Sequence, residues 1–538
     1  LGNVKKYNIC IDVDECTPGT ILDANGLEAI DTSDDKFKDS SQSIWSAAPG
    51  TVVVDGKATT QGGAGHEITD FTSQILYTDT DNSGIASSST LLSASGFKLT
   101  SSNWDSSDFT SLRASVCPTP STVGGSDCET RMLWLLGKRN VSDPDNDISS
   151  DQRWSVNDVL HSSPAIITYG GSDSDGDGVF ETFFDKILYG TNDGALHMVN
   201  GETGEEEWRY MPSDFWGQQQ SLFTNAKGAH SYGLDVTPTL QIIDKNQDGR
   251  IVTAQGDKVV VYLASRRGSN KIYALDLSGD VSNDNESVIP RFLWRIDGGT
   301  TGFERLGQTW SKPVATTILV DDGSGVKGKD VLIFGGGYDP TLDNPEIYSP
   351  ADNNNFDFLG NAIYIVDQQD GSLILSISGS GSGADIPVAD MQYSMTSNVR
   401  IIDSDNDNVT DRIYIGDTGA QIWRVDLATL LTATSRPEST TVVGKLAEIS
   451  TPTDNNKRRR FFDTPSVIQV NDTEFSDENN YDYVLIGSGY RAHPLNTTVH
   501  DRFYAFRDFF GSKQMQDADG DNVSLASETL SPNARCRW

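Results

Sequence analysis

From about residue 160 the chain alternates short apolar runs with clusters of Ser, Thr, Asn, Asp and Gly. The runs are rich in β-branched and aromatic residues, and stretches with a helical period are scarce. This pattern predicts a mainly β protein. In "DRIYIGDTGAQIWRVDL" (411–427) apolar and polar positions alternate on both sides of a Gly-Asp-x-Gly turn, the mark of an antiparallel hairpin.

The pattern repeats. One copy is "SSPAIITYG" (162–170), an acidic loop, then "DKILYGTNDGALHMVNGETGEEEWRY" (185–210). The next joins "TPTLQIID" (237–244) to "KVVVYLASRRGSNKIYALDL" (258–277) and closes on "RFLWRID". A third holds "SKPVATTILVDD" (311–322), "KDVLIFGGGY" (329–338) and "GNAIYIVDQQDGSLILSIS" (360–378). The fourth is "SMTSNVRIID" (394–403) with residues 411–427, and the fifth is "DTPSVIQV" (463–470), "YDYVLIGSGY" (481–490) and "DRFYAFRDFF" (501–510). Copies recur about every 70–80 residues, longer than a compact blade, because polar insertions such as "DPTLDNPEIYSPADNNNFDF" lengthen them.

Short antiparallel strands recurring in this way predict a modified β-propeller with quinoprotein-like repeats and polar loop insertions. One such sheet cannot bury both faces alone, and radial stacking buries them against neighbours. A stacked β-sandwich array is the competing architecture. Residues 153–538 carry the repeat; residues 1–152 form a mixed N-terminal region with one apolar patch, "RMLWLLGK" (131–138).

Charge narrows the function classes. The formal net charge is -36, with 77 acidic and 41 basic residues. A phosphate-tracking protein needs a basic face, so nucleic acid is excluded as a partner, and anionic lipid with it. No apolar run is long enough to span a membrane. The start, "LGNVKKYNICIDVDEC", lacks the regions of a signal peptide, so an exported protein would be a mature or trimmed form. Of five cysteines, Cys10 lies near Cys16 and Cys117 near Cys128, in polar, loop-like surroundings. Each pair can close a local disulfide, the alternative being buried free thiols, and Cys536 is left over.

The acidic loops suggest a cation. Calcium takes 6–8 oxygen ligands, and a loop offering acids at positions 1, 3 and 5, a carbonyl at 7 and an acid at 9 can wrap one ion. Residues 403–411 fit throughout: Asp403, Asp405, Asp407, the Val409 carbonyl and Asp411. Residues 173–181 offer Asp173, Asp175, Asp177 and Glu181 in the same slot of their repeat, as a possible second calcium loop. A solvated turn is the bland alternative for both. Three weaker matches follow. Asp143, Asp145, Asp147 and Asp151 include a stiffening Pro144, and Asp244, Asn246 and Asp248 lack an acid at position 9. Asp517, Asp519, Asp521 and Glu528 carry Asn522 where a helix-flanked calcium loop has Gly.

Signatures of enzyme chemistry are missing: there is no GxSxG, HExxH, P-loop or Rossmann pattern in its required context. The segment "GTNDGALHMVNGETGEEEW" resembles the tryptophan-docking repeats of quinoprotein dehydrogenases, which carry a quinone and typically calcium. The adjacent cysteines of many such alcohol dehydrogenases are absent. A quinoprotein dehydrogenase is the enzymatic alternative, and a structural calcium-binding surface or filament component is a further, non-enzymatic one.

Taken in order, several segments resemble the C-terminal domain of the PilC/PilY family of type IV pilus tip adhesins. They are "SIWSAAPGTVVVDGKATTQGGAG", "NDVLHSSPAIITYG", "YGTNDGALHMVNGETGEEEWRYMP", "VLIFGGGYD" and "DRIYIGDTGAQIWRVDL". The resemblance implies a propeller of about seven blades at a pilus tip on the bacterial surface, exported through the periplasm. It implies contacts with minor pilins and with host or abiotic surfaces, and no enzymatic role. It further implies that calcium at Asp403, Asp405, Asp407, Val409 and Asp411 controls pilus extension and retraction. An RGD triplet is not found, and the family's upstream von Willebrand factor A-like domain is expected to be missing from this chain.

Overall fold

The computed structural model describes residues 2–11, 16–46, 55–79, 90–91, 98–117, 126–139, 152–225, 228, 230–343, 359–427, 430–431, 441–449, 458–470 and 481–509. The acidic segments 143–151 and 517–528, and Cys536, lie outside these residues. Chain contacts separate two compact units, Leu1–Leu263 with Ala274–Trp294, and Ala264–Tyr273 with Arg295–Trp538.

In the first unit the opening repeat forms β1 (Ala165–Ser172), β2 (Thr182–Gly190), β3 (Leu196–Asn200) and β4 (Glu206–Tyr210), consecutive and antiparallel. Leu76–Tyr77 adds to β4 in parallel, and Lys98–Leu99 adds beyond it. The mixed N-terminal region thus lengthens the sheet. It also packs on it: Trp45, Ala64, Ile68 and Val156 share a core with Ile187, Tyr189 and Val199. The apolar patch at 131–138 falls in and just after the helix Ser126–Leu136. Trp208 is buried and its indole N–H donates to the Val288 carbonyl at 2.8 Å, which pins the end of the repeat. The second repeat opens with the antiparallel hairpin of β5 (Thr239–Ile243) and β6 (Lys258–Leu263).

The second unit holds three sheets. β7 (Val314–Asp321), β8 (Val326–Gly335), β9 (Ala362–Asp367) and β10 (Leu373–Gly379) are antiparallel neighbours. Next come β11 (Arg400–Ile402), β12 (Arg412–Gly416), β13 (Gln421–Asp426) and β14 (Val442–Glu448). The last sheet is β15 (Ser466–Val470), β16 (Tyr481–Gly487) and β17 (Phe503–Phe509). The fourth-repeat strand β14 was not legible in the sequence pattern. Each sequence repeat therefore has its own sheet, five among the described residues, against the roughly seven blades that the resemblance implies.

Alternation explains how the sheets stack. Successive strand residues face opposite sides. Ile413 and Ile415 of β12, with Trp423 and Val425 of β13, join a core with Val331, Ile333, Ile363 and Ile377 of the preceding sheet. Their strand neighbours Tyr414 and Ile422 turn the other way and meet Val484, Ile486 and Phe506 of the following sheet. One strand pair thus seals two interfaces, and the loops at its ends are held from both sides.

Candidate metal centre

Both full acidic loops connect the first two strands of their repeats. Residues 173–181 join β1 to β2, and residues 403–411 join β11 to β12. In each, the first aspartate organises the turn. Asp403 accepts from the N–H groups of Asn406 (2.7 Å) and Asn408 (2.9 Å), and Asp173 accepts from Gly176 (2.6 Å) and Gly178 (2.9 Å). The fifth-position acid accepts from position 7 at 2.8 Å in both, Asp407 from Val409 and Asp177 from Val179. The ninth closes the loop: Asp411 accepts from the Ser404 N–H at 2.7 Å and Glu181 from Ser174 at 2.8 Å. Positions 4 and 6 have positive φ in both loops, filled by Asn406 (61°) and Asn408 (67°) in one and by Gly176 (78°) and Gly178 (89°) in the other. Asn and Gly are the residues that tolerate this conformation best.

The backbone fold draws the carboxylates together. One oxygen from each of Asp403, Asp405 and Asp411 lies within 4.8 Å of the other two, and Asp173, Asp175 and Asp177 form a second such trio. Oxygens bound to one calcium sit at 2.3–2.6 Å from it, hence at most about 5 Å from one another, so both trios fit such an ion. No lysine or arginine pairs with either trio among the described residues. Desolvation, and after it the neighbouring charges of Asp407, Asp411 and Asp403, raise the Asp405 pKa. An oxygen-only, all-anionic donor set of this size suits a hard cation better than a soft one.

The hairpin between β5 and β6 is the informative contrast. Asp244 accepts from Gln247 and Gly249 at 2.8 Å each, and φ is positive at both donors (58° and 76°). The turn is the same one. The closing acid missing at position 9 comes from Asp257, which accepts from Lys245 (2.9 Å) and Val252 (3.0 Å). At position 3 the Asn246 amide donates to Asp248 and Gln255 at 2.8 Å each. A neutral amide and a nearby Lys245 thus replace the carboxylate surplus, and this turn closes by hydrogen bonds alone.

The cysteine pairs are also brought together. Cys10–Cys16 and Cys117–Cys128 are disulfides with Cα separations of 6.0 and 5.3 Å. One arrangement imitates a catalytic triad. Thr191 Oγ1 lies 3.2 Å from His197 Nε2, and His197 Nδ1 lies 2.5 Å from Glu206 Oε2. All three are buried, Tyr189 stacks on the imidazole with centroids 4.9 Å apart, and Arg209 holds the other Glu206 oxygen at 2.6 Å. No substrate reaches that hydroxyl, so the group is internal bracing of the sheet.

Comparison with known proteins agrees with this architecture. Over 320 residues the chain is 28% identical to the type IV pilus biogenesis factor PilY1 of Pseudomonas aeruginosa (strain UCBPP-PA14), covering 55% of this chain and 22% of that protein. A type IV pilus biogenesis factor PilY1 homolog of Xylella fastidiosa (strain Temecula1 / ATCC 700964) is 25% identical over 252 residues, covering 46% of this chain and 14% of the relative. The chain therefore spans about a fifth or less of these relatives' lengths. The crystal structure of the Pseudomonas aeruginosa PilY1 C-terminal domain superposes with a TM-score of 0.41 at 21% identity, covering 63% of this chain and 60% of that one. The family model of the PilY1 beta-propeller domain matches residues 165–457, which is 293 of the 538 residues. The chain belongs to the PilY1 β-propeller domain family.

Proposed function

We propose that this chain is the calcium-binding, non-enzymatic propeller portion of a type IV pilus biogenesis factor, carried at the pilus tip on the cell surface. In this reading it caps the filament, contacts minor pilins, supports adhesion to host or abiotic surfaces, and makes extension and retraction respond to calcium. Residues 153–538 carry the propeller and residues 1–152 its lead-in. The observation that carries the reading is the convergence of Asp403, Asp405 and Asp411 on one point, in a hairpin of a PilY1-type propeller. Asp407 and the Val409 carbonyl complete that ligand set, and Asp173, Asp175, Asp177 and Glu181 supply a second site. Bound calcium neutralises the clustered charge and ties the two ends of each loop together.

Calorimetry tests the metal. The protein takes up two calcium ions, and the double variant Asp403→Ala, Asp411→Ala takes up one. An unchanged stoichiometry in that variant removes the assigned site. Imaging of labelled protein on piliated cells tests the location: signal along filaments, instead of at their ends, favours a structural filament component.

A further inference from the structure

The two loops differ in what holds them. In the 403–411 loop, position 8 is Thr410, which is 3% exposed. Its N–H donates to the Thr317 carbonyl of β7 at 2.9 Å, and its hydroxyl shares a hydrogen bond of 2.6 Å with Thr316. Directly after the last acid comes Arg412. It donates from Nη1 to Asp482 of β16 at 2.8 Å and from Nε to Asp426 of β13 at 2.8 Å. Asp482 is fully buried. Its Oδ2 also lies 2.8 Å from the Tyr414 hydroxyl, which in turn is 2.6 Å from Asp508 of β17. The backbone of Asp411 itself is fixed, with its N–H on Ile402 (2.9 Å) and its carbonyl receiving Leu427 (2.7 Å).

Val409 and Asp411, the C-terminal ligands, therefore flank a residue clamped to the preceding sheet. They are followed by one clamped to the next. Among the described residues, no hydrogen bond of this kind ties the 173–181 loop to another sheet. Its position 8, Phe180, lies under the Arg250 guanidinium at 4.6 Å, and Thr182 shares its hydroxyl hydrogen bond with Ser172 of its own hairpin.

We propose that Asp482 is a remote positioning residue for calcium at 403–411, holding Asp411 in ligating geometry through Arg412, and that calcium there reciprocally tightens the terminal sheet β15–β17. The proposal rests on the calcium reading above. Residues that hold ligands in place typically carry about ten- to hundredfold of a metal's affinity. Coupling between two sites must run equally in both directions. A hairpin with both flanks hydrogen-bonded to neighbouring sheets transmits ligation to them, whereas one held by a single ring contact passes less of it on.

Two measurements on the full chain test this, with calcium alone as probe. In calorimetry, Asp482→Asn weakens the site that Asp403→Ala abolishes by roughly tenfold and leaves the 173–181 site unchanged as an internal control. The asparagine keeps an oxygen acceptor for Arg412 and Tyr414, and because it removes one charge of a buried pair, the second measurement is chosen to be independent of any cost to the fold. Hydrogen exchange needs no substitution: calcium slows exchange over 481–487 and 503–509, and Asp403→Ala removes that slowing while leaving any response near 173–181. An unchanged affinity in Asp482→Asn overturns the proposal, as does exchange over 481–487 that ignores calcium. Absence of calcium binding at both loops overturns the calcium reading itself, a separate and recognisable result.

Discussion

The N–H of Lys245 donates to Asp257 Oδ1 at 2.9 Å, the bond that Ser404 makes to Asp411 in the second unit's acidic loop. A carboxylate from twelve residues along the chain thus does the closing work of a ninth-position ligand. With the neutral Asn246 at position 3, donating to Asp248 and Gln255, this turn carries one carboxylate fewer for a cation to relieve. Asp257→Asn is expected to lower the melting temperature by the same amount with calcium and with chelator. Asp403→Asn instead erases most of the difference between those two conditions. Thermal scans of the two variants in both buffers check this, and a calcium-dependent Asp257→Asn effect would contradict it.

The positive-φ positions give a second prediction. Gly178 sits at φ 89° with no atom within 4 Å of where a Cβ would be, so only backbone strain opposes a side chain there. Its counterpart Asn408 holds φ 67° in the other loop. Gly178→Asn is therefore tolerated. Gly178→Val pays about 1–2 kcal/mol of left-handed strain in the closed loop, and calcium affinity at 173–181 falls about tenfold as a result. Titrations of both variants decide it, with the 403–411 site unaffected in each.

The cores were legible because their signal is local. Ile413, Tyr414 and Ile415 alternate within one short run, and that alternation alone assigns them to two faces. The loop acids were legible for the same reason, since ligand spacing is fixed by the backbone inside nine residues. Asp257 was missed because it lies five residues beyond position 9, after the segment "GRIVTAQG" (249–256). Asp482 was missed because its partners, Arg412 and Tyr414, lie about 70 residues away, and only the stacking of two sheets brings them together. Its one local signal was an acid inside the aromatic and aliphatic run "YDYVLIG", where an unpartnered charge would be costly. Strand β14 escaped because its sequence, "VVGKLAE", carries weak alternation and is half-buried.

Reduction separates the two disulfides by their setting. Cys117–Cys128 joins the end of the helix Thr110–Val116 to the helix Ser126–Leu136, closing a loop with a sequence separation of 11. Loop-closure entropy gives such a bridge about 2–3 kcal/mol. Substituting both cysteines by serine is expected to lower stability by that order, measured by urea unfolding of the variant. The same change at Cys10 and Cys16 opens a shorter loop, with a separation of 6, and costs less.

Acid should unfold the first unit through Glu206. Burial alone would raise its carboxyl, but the Arg209 guanidinium and the His197 ring outweigh burial and hold it at about 2. An unfolded glutamate titrates near 4.3. The folded value is the lower one, so the stabilisation is fully present above about pH 4.3 and is lost as pH falls toward the folded value. Protonation would leave Arg209 buried with a neutral partner, and its remaining contacts, the Leu135 carbonyl at 3.2 Å and Gln74 at 3.4 Å, are neutral acceptors. Glu206→Gln imposes that state at every pH. The variant is expected to lose about 3–5 kcal/mol at neutral pH, as for a buried pair stripped of one charge. It should also lose less stability than the wild type on acidification below about pH 4.3. Urea unfolding across a pH series, followed by tryptophan fluorescence, measures both. Parallel stability curves for the two proteins would mean that Glu206 is not the group that titrates.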